Sequence, residues 1–358
     1  MKILFLESDQ IEEYNCSWWR CVSPAKALLR AGHQAKVIRI EDWIHKTPEA
    51  VQLSEEADII LAQRNLFHEA IEVVYYWRAH NKTIICDIDD SYKHMTEETG
   101  SPTYKMWIQG ITEIEGKEVL ISPPPLTILK HSIKLCNGLS SPSKLICEDW
   151  NEYTKTWWFP NYVDLDLYKP REVYREKGTI RVGWGGSMTH LVSWTKSGAA
   201  EAMEKIIKEY PGVVITGFGD PRTERFFKVP PHNRAIIGWV PQPIFPSKLN
   251  HFDIGLIPLY GEYDRRRSWI KTAEYSTMGI PWIGSDMEPT QEINTGVRVK
   301  NTADDWYKAL KFYIDNLDAM KEAAVKNIPM AREKFGIEHH TSDLVDLFER
   351  MINENNQK

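Results

Sequence analysis

Between positions 265 and 275 the chain reads Arg265-Arg266-Arg267-Ser268-Trp269-Ile270-Lys271-Thr272-Ala273-Glu274-Tyr275. Three consecutive arginines concentrate like charge that a bound anion would relieve. They stand just ahead of a helical stretch, whose N-terminal N–H groups also favour negative charge. Lys271 and Glu274 are three apart and share a face of that helix, and Ser268 could cap it. The anion that suits this arrangement is a diphosphate; the alternative is a surface salt bridge beside a solvated basic run. A second cluster, Gly183-Trp184-Gly185-Gly186-Ser187, directly follows a strand pattern. Glycines there let the backbone approach a phosphate and successive N–H groups cradle it. The dinucleotide fingerprint G-x-G-x-x-G is not completed, because Met188 stands where its third glycine belongs. His190 follows and could touch a sugar or simply pack. In Gly238-Trp239-Val240-Pro241-Gln242, Trp239 and Val240 could meet a nucleobase or pack a loop.

A fourth cluster, Cys86-Asp87-Ile88-Asp89-Asp90-Ser91, ends another strand pattern. Carboxylates placed there can hold a divalent ion, act as a base or orient a substrate. Asp87, Asp89 and Ser91 also resemble the D-x-D-x-[ST] of haloacid dehalogenase phosphatases, which implies a Mg-dependent rival chemistry through Asp87 and Asp89. Of the aromatic residues, Trp18 and Trp19 could form a platform for an acceptor, although most tryptophans pack cores.

Every one of these clusters follows a strand, and the strands alternate with helices. In the first half, short apolar runs at 2–6, 34–40, 58–62, 83–86 and 138–141 read as strands, with helical patterns at 24–31, 69–80, 126–135 and 143–153. After a charged, Pro-containing stretch at 161–178 the rhythm restarts. Strands are expected at 180–184, 213–216, 235–237, 253–257 and 281–283, helices at 197–210, 246–251 and 270–278, and a helical tail at 304–316, 320–334 and 342–353. This βαβα order implies α/β structure with parallel sheets covered on both faces. Ligands of such sheets bind beyond the carboxyl ends of the strands, which is where all four clusters fall.

The 358 residues suit two domains. A formal charge of −6 speaks against a basic nucleic-acid-binding chain. Five cysteines, an odd number at spacings that match no zinc or redox motif, suit reduced thiols and a cytoplasmic location. The apolar start is too short for a signal peptide, and no run approaches the ~20 apolar residues of a membrane span.

Taken in order, these motifs resemble the GT-B glycosyltransferases, especially glycosyltransferase family 4. Lys271 to Pro281 is similar to that family's K-x-x-E-Y-x-x-x-G-x-P, Phe252-Asp253-Ile254-Gly255-Leu256-Ile257-Pro258-Leu259 to the strand before it, and Pro160-Asn161-Tyr162-Val163-Asp164 to its PN-x-[IV]-D. Arg20 with Pro24-Ala25-Lys26-Ala27-Leu28, and Asp87 to Asp90, resemble a subgroup's R-x-x-x-P-A-x-A-L helix and D-[IV]-D-D strand end. The resemblance implies GT-B architecture: two doubly wound Rossmann-like domains facing a cleft, with C-terminal helices. Residues 1–165 would form the acceptor-side domain, 166–178 a linker and 179–338 the nucleotide-sugar domain, with a final helix at 339–358 that could cross back.

It also implies roles. Glu274 would accept hydrogen bonds from the donor ribose. Lys271, helped by Arg265, Arg266 or their neighbour, would neutralise the departing diphosphate. Gly185, Gly186, Ser187 and His190 would line the phosphates and sugar, and Trp239 and Val240 the base. Arg20, Trp19, Asp89 and Asp90 would serve the acceptor side. The implied reaction is retaining transfer from a nucleotide-diphosphate sugar, UDP favoured over GDP, with no metal and no further cofactor. The acceptor stays open among a glycan, a protein, a small molecule and a modified nucleic-acid base. A nucleotide-sugar epimerase and a non-catalytic nucleotide-sugar-binding protein are the rivals on the same fold. Two features differ from the family pattern: Arg266 occupies the place of a second glutamate, and Glu7-Ser8-Asp9-Gln10 that of a Gly-rich first loop.

Overall fold

A computed structural model describes residues 1–9, 15–64, 68–98, 103–174, 176–186 and 188–356. Eight strands belong to the first half: β1 (Lys2–Glu7), β2 (Gln34–Arg39), β3 (Ile59–Gln63), β4 (Thr83–Asp87), β5 (Ile111–Ile114), β6 (Lys117–Leu120), β7 (Gly138–Ser141) and β8 (Thr156–Trp158). Six belong to the second: β9 (Ile180–Gly186), β10 (Val213–Gly219), β11 (Arg234–Ile237), β12 (Ile254–Ile257), β13 (Trp282–Ser285) and β14 (Val297–Val299). They form two six-stranded sheets, ordered β2-β1-β3-β4-β7-β8 and β11-β10-β9-β12-β13-β14, and every pairing in both is parallel. Covered parallel strands must be apolar on both faces; Ile59 to Ala62 and Ile84 to Cys86 are accordingly buried throughout.

The chain order reverses between β1 and β3 in the first sheet and between β9 and β12 in the second. Each reversal opens a crevice at the strands' carboxyl ends. At the second one, Gly183 and Gly255 lie side by side in register. A Cβ on Gly183 would fall 2.0 Å from the Phe252 ring, and one on Gly255 would fall 2.6 Å from that of Tyr275. The missing side chains leave a flat patch on which both rings lie. Tyr275 thereby seats the helix Ile270–Thr277, which carries Lys271 and Glu274, close against the sheet.

Several elements differ from the sequence reading. β5 and β6 form an antiparallel hairpin that the apolar pattern does not announce. The helix expected at 320–334 is two helices, Leu317–Lys326 and Ile328–Phe335, because Pro329 cannot continue the first. The stretch read as a linker is anchored at its start: Val163 and Tyr168 are fully buried, and Val163 exchanges backbone hydrogen bonds with Phe335 and Ile337 where the chain crosses back. The helix Thr341–Asn356 then packs Phe348 edge-on against Phe5 and Phe159 of the first unit, at 5.8 and 5.7 Å. One apolar cluster runs from Phe5 and Trp19 through Tyr168 to Phe252 and Tyr275, so the two units share a core. All five cysteines are unpaired. No helix among the described residues is long and apolar enough to cross a membrane.

Candidate active site

The two crevices face each other across a cleft of ≈ 890 Å³. From the first unit come Ser8 and Asp9 after β1, Arg64 after β3, and Asp89 and Asp90 after β4. From the second come Gly185 and Gly186 at the end of β9, Gly219 at the end of β10, Leu259 after β12, and Lys271 and Glu274 from the seated helix.

On the second unit's wall the Lys271 ammonium donates to the carbonyl of Gly185 at 2.6 Å. Burial lowers Lys271 to about 8, although Glu274 nearby favours its charge. Burial likewise raises Glu274 to about 7, opposed by Lys271 and by a hydrogen bond from Tyr168. That hydroxyl donates to Glu274 Oε1 at 2.7 Å. Gly185 and Gly186 both line the cleft, and a Cβ on Gly186 would fall 2.7 Å from that of His190. Gly219, with φ of +108°, needs its missing side chain too, since a Cβ would meet the Gly186 carbonyl oxygen at 2.7 Å. His190 lines the cleft; burial, and then the cations Arg267 and Lys271, hold its imidazole well below the usual value, hence neutral. Trp239 is 51% exposed and lines the far end with Val240, Gln242 and Phe218. Ser187 lies outside the described residues.

The three arginines separate. Arg267 alone lines the cleft. It donates to Asp264 Oδ1 at 2.6 Å and stands 3.9 Å from Asp90. Arg265 is held by Glu288 and Glu262, and Arg266 by Asp149 and Glu262; neither lines the cleft. Of the three arginines, any one of which is expected to help hold a diphosphate, only Arg267 lines the cleft.

The opposite wall also differs from expectation. Arg20 has no exposed side-chain surface. Its Nε and one terminal nitrogen grip both oxygens of Asp87 at 2.8 and 2.6 Å, and the other nitrogen donates to the Phe159 carbonyl and Asn161 Oδ1. Ser140 donates to Asp87 as well, at 2.5 Å. These bonds tie Arg20 to β4 and to the crossing segment, although Arg20 still borders the cleft. Both Asp87 oxygens are occupied by them and buried, and Asp87 is not among the residues that line the cleft. Trp18 is 1% exposed and Trp19 8%, so neither offers a flat platform, although Trp19 borders the cleft. Asp89 does reach the cleft, where it accepts from Arg64 at 3.4 Å, and Asp90 accepts from the Tyr263 hydroxyl at 2.9 Å. Burial first, then Asp89, raises the Asp90 carboxyl.

Sequence reasoning passed over Arg64 and the hairpin residues Glu113 and Glu118, which also border the cleft, and Tyr168, which is buried behind Glu274. Arg64 has φ of +36° and bridges Asp9 and Asp89. A lone arginine just beyond a buried strand is the signal that could have marked it. Tyr168 carried no motif.

No protein-family profile matches the chain, and no curated protein does. Its fold, in contrast, has many solved counterparts. Sucrose-phosphate synthase from Thermosynechococcus elongatus superposes with a TM-score of 0.66 at 12% identity, over 99% of this chain and 100% of that one. HepE of Anabaena in complex with UDP-glucose superposes at 0.62 with 13% identity, over 98% and 100%. A protein assigned as a UDP-N-acetylglucosamine 2-epimerase from Listeria monocytogenes superposes at 0.54 with 12% identity, over 96% and 94%. At such identities the shared property is architecture: this chain has the GT-B fold, two parallel-sheet α/β units around a cleft.

Proposed function

We propose that this protein is a glycosyltransferase that binds a nucleotide-diphosphate sugar, UDP before GDP, on its second unit. The observation that carries the reading is the placement of Lys271, Arg267 and the Gly185-Gly186 backbone around one end of the cleft, with the Glu274 carboxylate beside them at the reversal of a 3-2-1-4-5-6 sheet. HepE, of the same fold, binds UDP-glucose.

In this reading the bond between the sugar's anomeric carbon and the β-phosphate oxygen breaks, and negative charge grows on that oxygen. Lys271 and Arg267, both partly buried at the cleft wall, meet that charge as it grows, so they stabilise the transition state more than the ground state. Glu274 accepts from the ribose, and Trp239 flanks the base. The acceptor oxygen bonds to the anomeric carbon, and its proton passes to the departing diphosphate. The transfer is retaining and needs no metal. Asp89 and Asp90 shape the acceptor side, where a glycan, protein, small molecule or modified base would enter.

Calorimetric titration with UDP, GDP, ADP and NAD in EDTA, for wild type and Glu274→Ala, tests this. Micromolar binding of one nucleoside diphosphate, lost in the variant, is expected. Absence of binding until Mg²⁺ is added would move the chemistry elsewhere. The epimerase-like neighbour favours a second reading, which is separated by whether a UDP-sugar is converted with no acceptor present.

A further inference from the structure

Tyr168 belongs to the segment that crosses between the units, yet it is fully buried. Its hydroxyl donates to Glu274 Oε1, its ring lies 6.1 Å from that of Trp19 in the first unit, and its carbonyl accepts from Arg332 of the second unit at 3.0 Å. No hydrogen bond to the other Glu274 oxygen occurs among the described residues, and Glu274 lines the cleft. A buried hydroxyl costs desolvation unless it is paired, and here its partner is the one carboxylate placed for the donor. One face of the donor wall is thus held by a residue of the hinge.

We propose that Tyr168 is a positioning residue for the donor ribose: it orients the Glu274 carboxylate toward a ribose hydroxyl and ties that orientation to where the crossing segment lies between the units. The proposal rests on the donor-site reading above. It has a chemical consequence, because Tyr168 donates only to a carboxylate oxygen and so favours the ionised form. The charged or titratable groups that face Glu274 are Lys271 on its own helix, Tyr168 on the crossing segment and the adjoining Tyr275. Of these, Lys271 and Tyr168 hold Glu274 down against its burial. Removing the Tyr168 hydroxyl raises Glu274 further, and binding that needs its carboxylate is then lost at a higher pH.

The test is Tyr168→Phe, one atom removed, titrated with UDP, 2′-deoxy-UDP and 3′-deoxy-UDP across pH beside wild type and Glu274→Ala. Wild type should prefer UDP over at least one deoxy analogue. The variant should bind UDP roughly tenfold more weakly, lose most of that preference, and show its acid limb at higher pH. Equal weakening for all three ligands with the preference intact would mean a merely structural role and sink the proposal alone. So would unchanged affinities while Glu274→Ala still abolishes binding. Failure of wild type to bind UDP, or to prefer it over either analogue, would instead bring down the donor-site reading and the proposal with it. Should Tyr168→Phe not fold by circular dichroism, 3-fluorotyrosine at 168 offers a stronger donor. Its acid limb should move to lower pH, and an unmoved limb overturns the proposal.

Discussion

Lys271 and Glu274 are three residues apart, and each is charged against its own burial. The acid is held up to about 7 and the base down to about 8, so the two values nearly meet. Binding a diphosphate needs the ammonium, and accepting from a ribose needs the carboxylate. Below about 7 the Glu274 carboxyl takes up a proton and its acceptor is lost; above about 8 Lys271 gives one up and its charge is lost. Affinity for UDP should therefore be bell-shaped in pH, with a narrow optimum between those limbs. Arg267, salt-bridged to Asp264, stays charged throughout, and His190 stays neutral, so neither adds a limb. Calorimetric titration from pH 5.5 to 9.5 checks this. Lys271→Met should abolish the alkaline limb and, in turnover, lose on the order of 10²–10³ in kcat. A flat profile for wild type would show that these two groups do not titrate on binding.

At the scale of elements, the same Gly-rich strand end contains one glycine required by packing and one that lines the cleft. Alanine at 183 would drive its methyl into Phe252, which is itself packed between Phe218 and Tyr275. The expected loss is on the order of 1–3 kcal/mol, read as a Tm several degrees lower. Alanine at 185 meets the end of the Lys271 side chain at 3.4 Å and the Phe218 Cβ at an ordinary 3.9 Å. Its Tm should stay at the wild-type value while, on the proposed donor site, UDP affinity falls, because the methyl enters the cleft. Equal Tm losses for Gly183→Ala and Gly185→Ala would contradict this division. The sequence shows the strand ends but not this division, which depends on what lies above each Cα. The same holds for the arginines: they straddle the end of the short helix Gly261–Arg265, so only tertiary structure decides that Arg267 faces the cleft and Arg265 faces Glu288. Legibility followed burial. Strands covered on both faces, such as β1, β3 and β4, are continuous apolar runs and can be read directly. β5 and β6 are largely exposed and present no such run; only the Glu115-Gly116 pair, both with positive φ, marks their turn. Thr47 before Pro48 likewise starts a helix, Pro48–Glu56, from cap signals alone. Tyr168 could not be singled out, because a polar-looking linker hides which of its few aromatic residues are buried.

For the whole molecule, Arg266 has a mechanical role. Arg266 spans the units: its guanidinium meets both oxygens of Asp149 at 2.6 and 3.2 Å. Its neighbours do the same on a smaller scale, Tyr263 donating to Asp90 and Ser268 accepting from Asn161 Nδ2 at 3.1 Å. These contacts come from one stretch, 263–268, directly upstream of the helix that carries Lys271 and Glu274, so the contact between the units and the seat of that helix are held by the same segment. A glutamate at 266 would face Asp149 with like charge and open this contact; an arginine closes it. The contact is partly exposed, 12% for Arg266 and 16% for Asp149, and such pairs are worth no more than about 1 kcal/mol. That is too little to govern folding but enough to change the ratio of two domain arrangements by roughly fivefold. Asp149→Ala should thus leave the Tm within about a degree or two, weaken UDP binding by no more than about fivefold, and enlarge the radius of gyration in small-angle X-ray scattering without nucleotide. Saturating UDP should restore the wild-type radius, because binding energy then replaces the lost contact. A radius unchanged by the substitution would mean that the units are fixed by their shared apolar core alone, and closure would no longer couple Arg266 to the donor wall.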